Sequence, residues 1–117
     1  MKLSEIINTL DASVLVGADQ SDKEFFAAGA SDLMSDILAK LADGAIFLTG
    51  LTTIQAIRTA VVSGVGAVVF VRNKKPPGEV VDLAREEGIP LLSTPNSMFV
   101  SCGRLHARYL TGLDGKR

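Results

Sequence analysis

The sequence predicts an α/β fold: a single layered domain with a mostly parallel sheet of about five strands, helices on both faces, and room for a mixed early pair. Two observations carry this. Ala45 to Thr49 and Ala67 to Val71 are short, continuous apolar runs, and unbroken runs suit strands buried on both faces. Between them Ile54, Ile57, Ala60 and Val61 recur at helical spacing. A helix between two such strands is a βαβ crossover, right-handed in about 98% of cases. At 117 residues the chain has the size of one domain.

Each element has its own signal. Leu3, Ile6, Ile7 and Leu10 form a helical stripe, with Asp11 as its stop. Ser13 to Val16 reads as a short strand ending at Gly17, and Ala18 to Glu24 as an exposed polar loop. Phe25 to Ala28 is the second strand expected, closed by Gly29. Leu33, Met34, Ile37, Leu38 and Leu41 predict a helix capped by Ser31 or Asp32 and ended by Asp43-Gly44.

The central strand runs from Ala45 to Thr49, followed by Gly50-Leu51 as a turn and Thr52 or Thr53 as the helix cap. Pro76-Pro77 leads into a helix carrying Val80, Val81, Leu83 and Ala84, which stops at Gly88. In Ile89-Pro90-Leu91-Leu92 the proline belongs at the start of the strand or at an edge, because it cannot donate to a ladder. Met98, Cys102, Leu105 and Tyr109 form the seam of the last helix, widened by Phe99. Residues 1–110 are thus expected to make one domain, and residues 111–117 a charged, Gly-rich, flexible tail.

Bulk properties exclude several classes. The formal net charge is -1, so bulk charge favours neither nucleic acid nor an anionic membrane. Arg72, Lys74 and Lys75 make a local basic cluster, read as solvated surface. A single cysteine, Cys102, permits no internal disulfide. With no secretion signal and no apolar run of membrane-spanning length, the expected location is the cytoplasm.

Parallel sheets gather ligands beyond the carboxyl ends of their strands, where helix N-termini converge. The residues expected there are Ser31, Asp32, Thr49, Thr52, Thr53, Arg72, Asn73, Thr94 and Asn96. Hydroxyls, amide donors and one guanidinium can hold a phosphate, a nucleotide or a carboxylate. Caps and turns select the same residue types without any ligand. Asp32 and Asp36 share a helix face but supply fewer ligands than an oxygen-coordinated cation needs. His106 has no partner at metal-ligand spacing, and one thiol cannot hold an iron–sulfur cluster. No phosphate loop, dinucleotide fingerprint or nucleophile elbow is present. The expectation is a protein with no cofactor, no metal and no catalytic residues.

Ala30-Ser-Asp-Leu-Met-Ser-Asp36, Gly88-Ile-Pro-Leu-Leu-Ser-Thr-Pro95 and the helix from Met98 carry a family resemblance. In segment order from Leu3 to Tyr109 the chain resembles the DRTGG-type domains, which are similar to the N-terminal domain of HPr kinase/phosphorylase. It is most similar to a stand-alone subgroup found beside bacterial hydrogenase and electron-transfer proteins. The family's Asp-Arg pair would fall near Leu51-Thr52 and its Thr-Gly-Gly near Val71 to Asn73. Neither is kept, so no ligand role is carried over from them. The resemblance implies a regulatory or accessory module, and similar folds in cell-wall ligases contact a uridine nucleotide.

Three functions follow as expectations. The first is a non-catalytic regulatory or small-ligand-binding module, homodimeric, taking a nucleotide or other anion at the rim. The second is a docking subunit for a redox or hydrogenase complex. The third is an enzyme built on Thr49 to Thr53. Nucleic acid and membrane are not expected partners.

Overall fold

The computed structural model describes residues 1–38 and 43–117. Among the described residues ten α-helices and strands follow one another, with a 3-10 turn (Ala18–Gln20) between the first two strands: α1 (Leu3–Thr9), β1 (Ser13–Val16), β2 (Ala28–Ala30), α2 (Met34–Leu38), β3 (Ile46–Thr49), α3 (Ile54–Val62), β4 (Ala67–Phe70), α4 (Gly78–Glu87), β5 (Leu91–Ser93) and α5 (Met98–Ala107). The sheet order is β1-β5-β4-β3-β2. β2 to β5 are parallel to their neighbours, and β1 is antiparallel to β5, so the sheet is mixed.

Every residue of β3 and β4 is buried, and alternate residues feed opposite cores. Phe47, Val68, Phe70 and Leu91 meet Ile37, Ile57, Ala60, Val80 and Ala84 from α2, α3 and α4. Ile46, Leu48, Val69 and Leu92 meet Leu3, Ile6, Leu105 and Leu110 from the α1 and α5 side. This two-sided burial is the reason the strand runs are apolar throughout instead of alternating.

Three local expectations shift. The second strand begins at Ala28, three residues later than Phe25, and contains Gly29 instead of stopping there. Phe25 lies in the α1/α5 core at 0% exposure, while Phe26 points outward at 75%. Met1 and Phe25 exchange backbone contacts at 2.7–2.8 Å, so this segment pairs with the N-terminus before it can join the sheet. A Cβ on Gly29 would lie 2.8 Å from Leu113 Cδ1, which accounts for a glycine inside a strand. The seam of α5 is narrower than expected: Leu105 and Ser101 are buried, whereas Phe99 and Tyr109 are exposed. In the α2 stripe Ile37 is buried and Leu33 and Leu38 are exposed, and Leu41 lies outside the described residues.

Beyond Leu110 the chain runs beside β2. Ala28 N–H donates to Thr111 O at 2.8 Å, Thr111 N–H donates to Phe26 O at 3.1 Å, and Leu113 packs on the α2–α4 core. Pro90 stands immediately before β5 and accepts from Val68 N–H at 3.0 Å, so its missing donor costs the ladder nothing.

Two predictions follow from these contacts. Phe25→Ala is expected to lower unfolding stability by about 3–5 kcal/mol, and Phe26→Ala by less than about 0.5 kcal/mol, as read from urea midpoints. Glu5 accepts from Lys2 N–H at 2.9 Å and pairs with Arg108 at 3.1 Å, and these contacts, the first foremost, hold its pKa below the ordinary glutamate range. A lowered folded-state pKa adds stability above the unfolded-state value, and that stability is lost as pH falls through the lowered one. The stability gap between wild type and Glu5→Gln should therefore be widest at neutral pH and close at acid pH. A constant gap would show that charge on Glu5 is not what matters.

Candidate functional site

The carboxyl ends of β2, β3 and β4 bring Asp32, Thr49, Gly50 and Arg72 together. Gly50 N–H donates to Asp32 Oδ1 at 2.6 Å, and Thr49 Oγ1 donates to the same oxygen at 3.2 Å. Arg72 Nη2 stands 4.0 Å from Asp32 Oδ2, with both side chains about half exposed. A Cβ on Gly50 would lie 2.5 Å from Arg72 Nη2, so the guanidinium rests against the glycine backbone. Only glycine permits that approach without displacing the arginine.

Of the two cap candidates, Ser31 and Asp32, Asp32 does not cap the following helix. Instead its carboxylate crosses to the β3 turn, and Ser31 serves the helix side. Ser31 Oγ accepts from Leu33 N–H at 2.9 Å and donates to Asp36 Oδ2 at 2.8 Å. The two aspartates therefore turn to different partners, and no group of three His, Cys, Asp or Glu among the described residues is placed to hold a metal.

α3 opens beside this cluster. Thr53 is its N-cap, accepting from Ala56 N–H at 3.2 Å, and Thr49 Oγ1 accepts from Leu51 N–H at 3.1 Å. The first N–H groups of a helix have no intrahelical acceptor, and their dipoles favour negative charge nearby. Thr52 is half-buried on the same turn.

Thr94 and Asn96 do not join the cluster. Thr94 is fully buried, and its hydroxyl donates to Leu10 O at 2.5 Å while accepting from Asn96 N–H. Asn96 Nδ2 donates to the same carbonyl at 3.1 Å. Both residues tie the β5–α5 turn to the end of α1. The need for a donor at that buried carbonyl selects them.

The turn after β4 holds Arg72 and Asn73 at φ 62 and φ 56, two successive non-glycine residues in the left-handed region. Strained backbone of this kind concentrates at ligand sites and switches. Arg72 N–H donates to Asn96 O and Asn73 N–H to Thr94 O, both at 2.8 Å, so the β5–α5 turn imposes the geometry. Asn73 then leads away from the Arg72 cluster into a cleft of about 280 Å³, bordered by Lys74, Lys75, Ser13 and Ser93. Sequence reading left Lys74 and Lys75 as solvated surface and had no means of placing Ser13 here, because its partner in the register, Ser93, lies 80 residues away. A second cleft of about 180 Å³ lies between β2 and α5 and includes Cys102 and His106. Burial pushes the Cys102 thiol above its ordinary pKa, which disfavours the thiolate.

The split between fold-serving and exposed rim residues gives a prediction. Thr94→Val should lower unfolding stability by about 1–3 kcal/mol, because it strands the Asn96 N–H. Thr52→Ala, with no such partner to strand, should change it by less than about 0.5 kcal/mol. Urea unfolding of the two variants compares them directly.

Comparison with known proteins agrees with this architecture. No curated protein matches the chain. Among solved structures, the CBS and DRTGG domains of the regulatory region of Clostridium perfringens pyrophosphatase, complexed with the activator diadenosine tetraphosphate, share the fold. The TM-score is 0.75 at 18% identity, over 93% of this chain and 47% of that one. The chain thus spans about half the length of that regulatory region. The DRTGG domain family matches residues 5–107, nearly the whole described fold. The chain belongs to the DRTGG domain family.

Proposed function

We propose that this domain is a non-catalytic regulatory module that binds a nucleotide or a similar small anion at the carboxyl-end rim, with Arg72 as the principal contact. One observation carries the reading. The Arg72 guanidinium is laid against Gly50 beside the start of α3, and its only ion pair among the described residues is a half-exposed contact of 4.0 Å. Exposed pairs of this kind hold about 0–1 kcal/mol, so Arg72 can exchange Asp32 for a ligand phosphate at little cost. Asp32 already takes the Gly50 N–H. An incoming anion would therefore meet the guanidinium, the Thr52 hydroxyl and the first amides of α3. The activator held by the similar pyrophosphatase region is a nucleotide polyphosphate, which supports the choice of ligand class. Apart from Thr52, the rim's hydroxyls and carboxylates are engaged in caps and turns, and this favours binding over chemistry.

A second reading is supported by a different surface. Phe99 is 86% exposed on α5, next to Val100, and Phe26 and Tyr109 are also largely exposed. Apolar surface of this kind fits a homodimer or a docking contact with a redox protein. Light scattering that returned a strict monomer, together with recovery of no oxidoreductase from the native source, would remove that reading.

The test of the first reading is a thermal-shift and calorimetric screen with adenosine and uridine nucleotides and diadenosine tetraphosphate. A ligand at 100 times its Kd adds about 2.7 kcal/mol, a shift of several degrees for a domain of this size. Arg72→Ala should weaken binding about tenfold or more while leaving the unliganded melting temperature close to wild type. Equal affinity in wild type and Arg72→Ala would exclude the rim as the site.

A further inference from the structure

The cleft beside β1 stands apart from the Arg72 cluster and has a chemistry of its own. From Asn73 the chain runs without helix through Lys74 to Pro77 and enters α4, passing the ends of β5 and β1. Leu15, Pro76 and Val81 give the resulting cleft an apolar lining, and Ser13, Ser93, Lys74 and Lys75 give it a polar one. The register of β1 slips between Val14 and Val16, so Leu15 is the extra residue of a bulge. Bulges bend a strand and re-aim its side chains, and they recur beside binding sites. Ser13 stands opposite Ser93 in that register, which brings two hydroxyls to one place. Ser93 Oγ donates to Lys74 O at 3.0 Å, anchoring the loop to the sheet. No carboxylate lines the cleft, and among the described residues neither lysine is in an ion pair.

We propose that this cleft binds a small phosphate monoester with a compact apolar body, the phosphate held by Lys74, Lys75 and the Ser13 hydroxyl and the body seated on Leu15, Pro76 and Val81. Two lysines bordering one cleft that has no carboxylate among its described lining residues match a dianionic head better than a neutral one. The cleft volume of about 280 Å³ falls just below the usual range of ligand pockets, roughly 300–1,000 Å³. It therefore suits a small molecule and not a dinucleotide. The site is independent of the Arg72 rim, and either can exist without the other.

Calorimetric titration with phenyl phosphate at low salt tests the proposal, with inorganic phosphate as the comparison. Phenyl phosphate should saturate one site and bind about tenfold or more tightly than inorganic phosphate, because the ring leaves water. Affinity should fall as salt is raised, since the lysines are screened. The double variant Lys74→Ala/Lys75→Ala should weaken binding about tenfold or more. Val81→Trp, which fills the cleft, should abolish binding, and Ser13→Trp fills it from the exposed edge strand should the α4 variant fail to fold. Arg72→Ala should leave phenyl phosphate binding unchanged. The proposal is overturned by the absence of saturable binding in the low-millimolar range, by equal affinity for the two phosphates, by binding that survives the lysine and filling variants, or by its loss in Arg72→Ala.

Discussion

Two-sided burial of β3 and β4 is the constraint on which the rest depends. Ile46 to Thr49 and Ala67 to Phe70 are at or near zero exposure, and each strand serves two cores at once. A sheet buried on both faces has nowhere to place a polar side chain except at the strand ends and edges. Helices α2, α3 and α4 close one face and α1 and α5 the other. The carboxyl-end rim is thereby left as the place where hydroxyls, amides and charges gather.

That rim divides its residues between two tasks. Thr53, Thr94 and Asn96 satisfy backbone groups that folding would otherwise strand, and Asp32 fastens the end of β2 to the β3 turn. Arg72 does the opposite, holding a left-handed backbone that costs about 1–2 kcal/mol, and Asn73 follows it in the same region, which asparagine tolerates better. Glycine accepts that conformation without strain. This chain instead carries a guanidinium and a carboxamide there, at φ 62 and 56. A strained turn that also presents a cation is where the domain departs most clearly from stability alone.

Much of the fold was legible because its signals are local. Continuous apolar runs marked β3 and β4, helical spacing marked α1, α3 and α4, and Pro90 marked the start of β5. The start of β2 was misread because Phe25 and Phe26 look like strand residues, whereas Phe25 is drawn into the opposite core by pairing with the N-terminus. The outward side of α5 was misread because Phe99 and Tyr109 are exposed although apolar. Composition cannot reveal an exposed aromatic. Of the residues expected at the rim, Asp32, Thr49 and Arg72 come together, whereas Thr94 and Asn96 turn to Leu10 and Asn73 borders another cleft. The hydrogen bond from Thr94 to Leu10 spans 84 positions, and the pairing of Ser13 with Ser93 depends on an antiparallel edge that no local pattern announces.

The account centres on a cation laid beside the turn between β3 and α3 for an anionic ligand to reach. Amide chemical-shift mapping during titration with diadenosine tetraphosphate reports on that turn directly. The account predicts that the largest changes cluster at Gly50 to Gln55 and at Arg72, with the α1 and α5 face unmoved. Changes confined to α5 and the β2–α5 cleft, or none at saturating nucleotide, would contradict it.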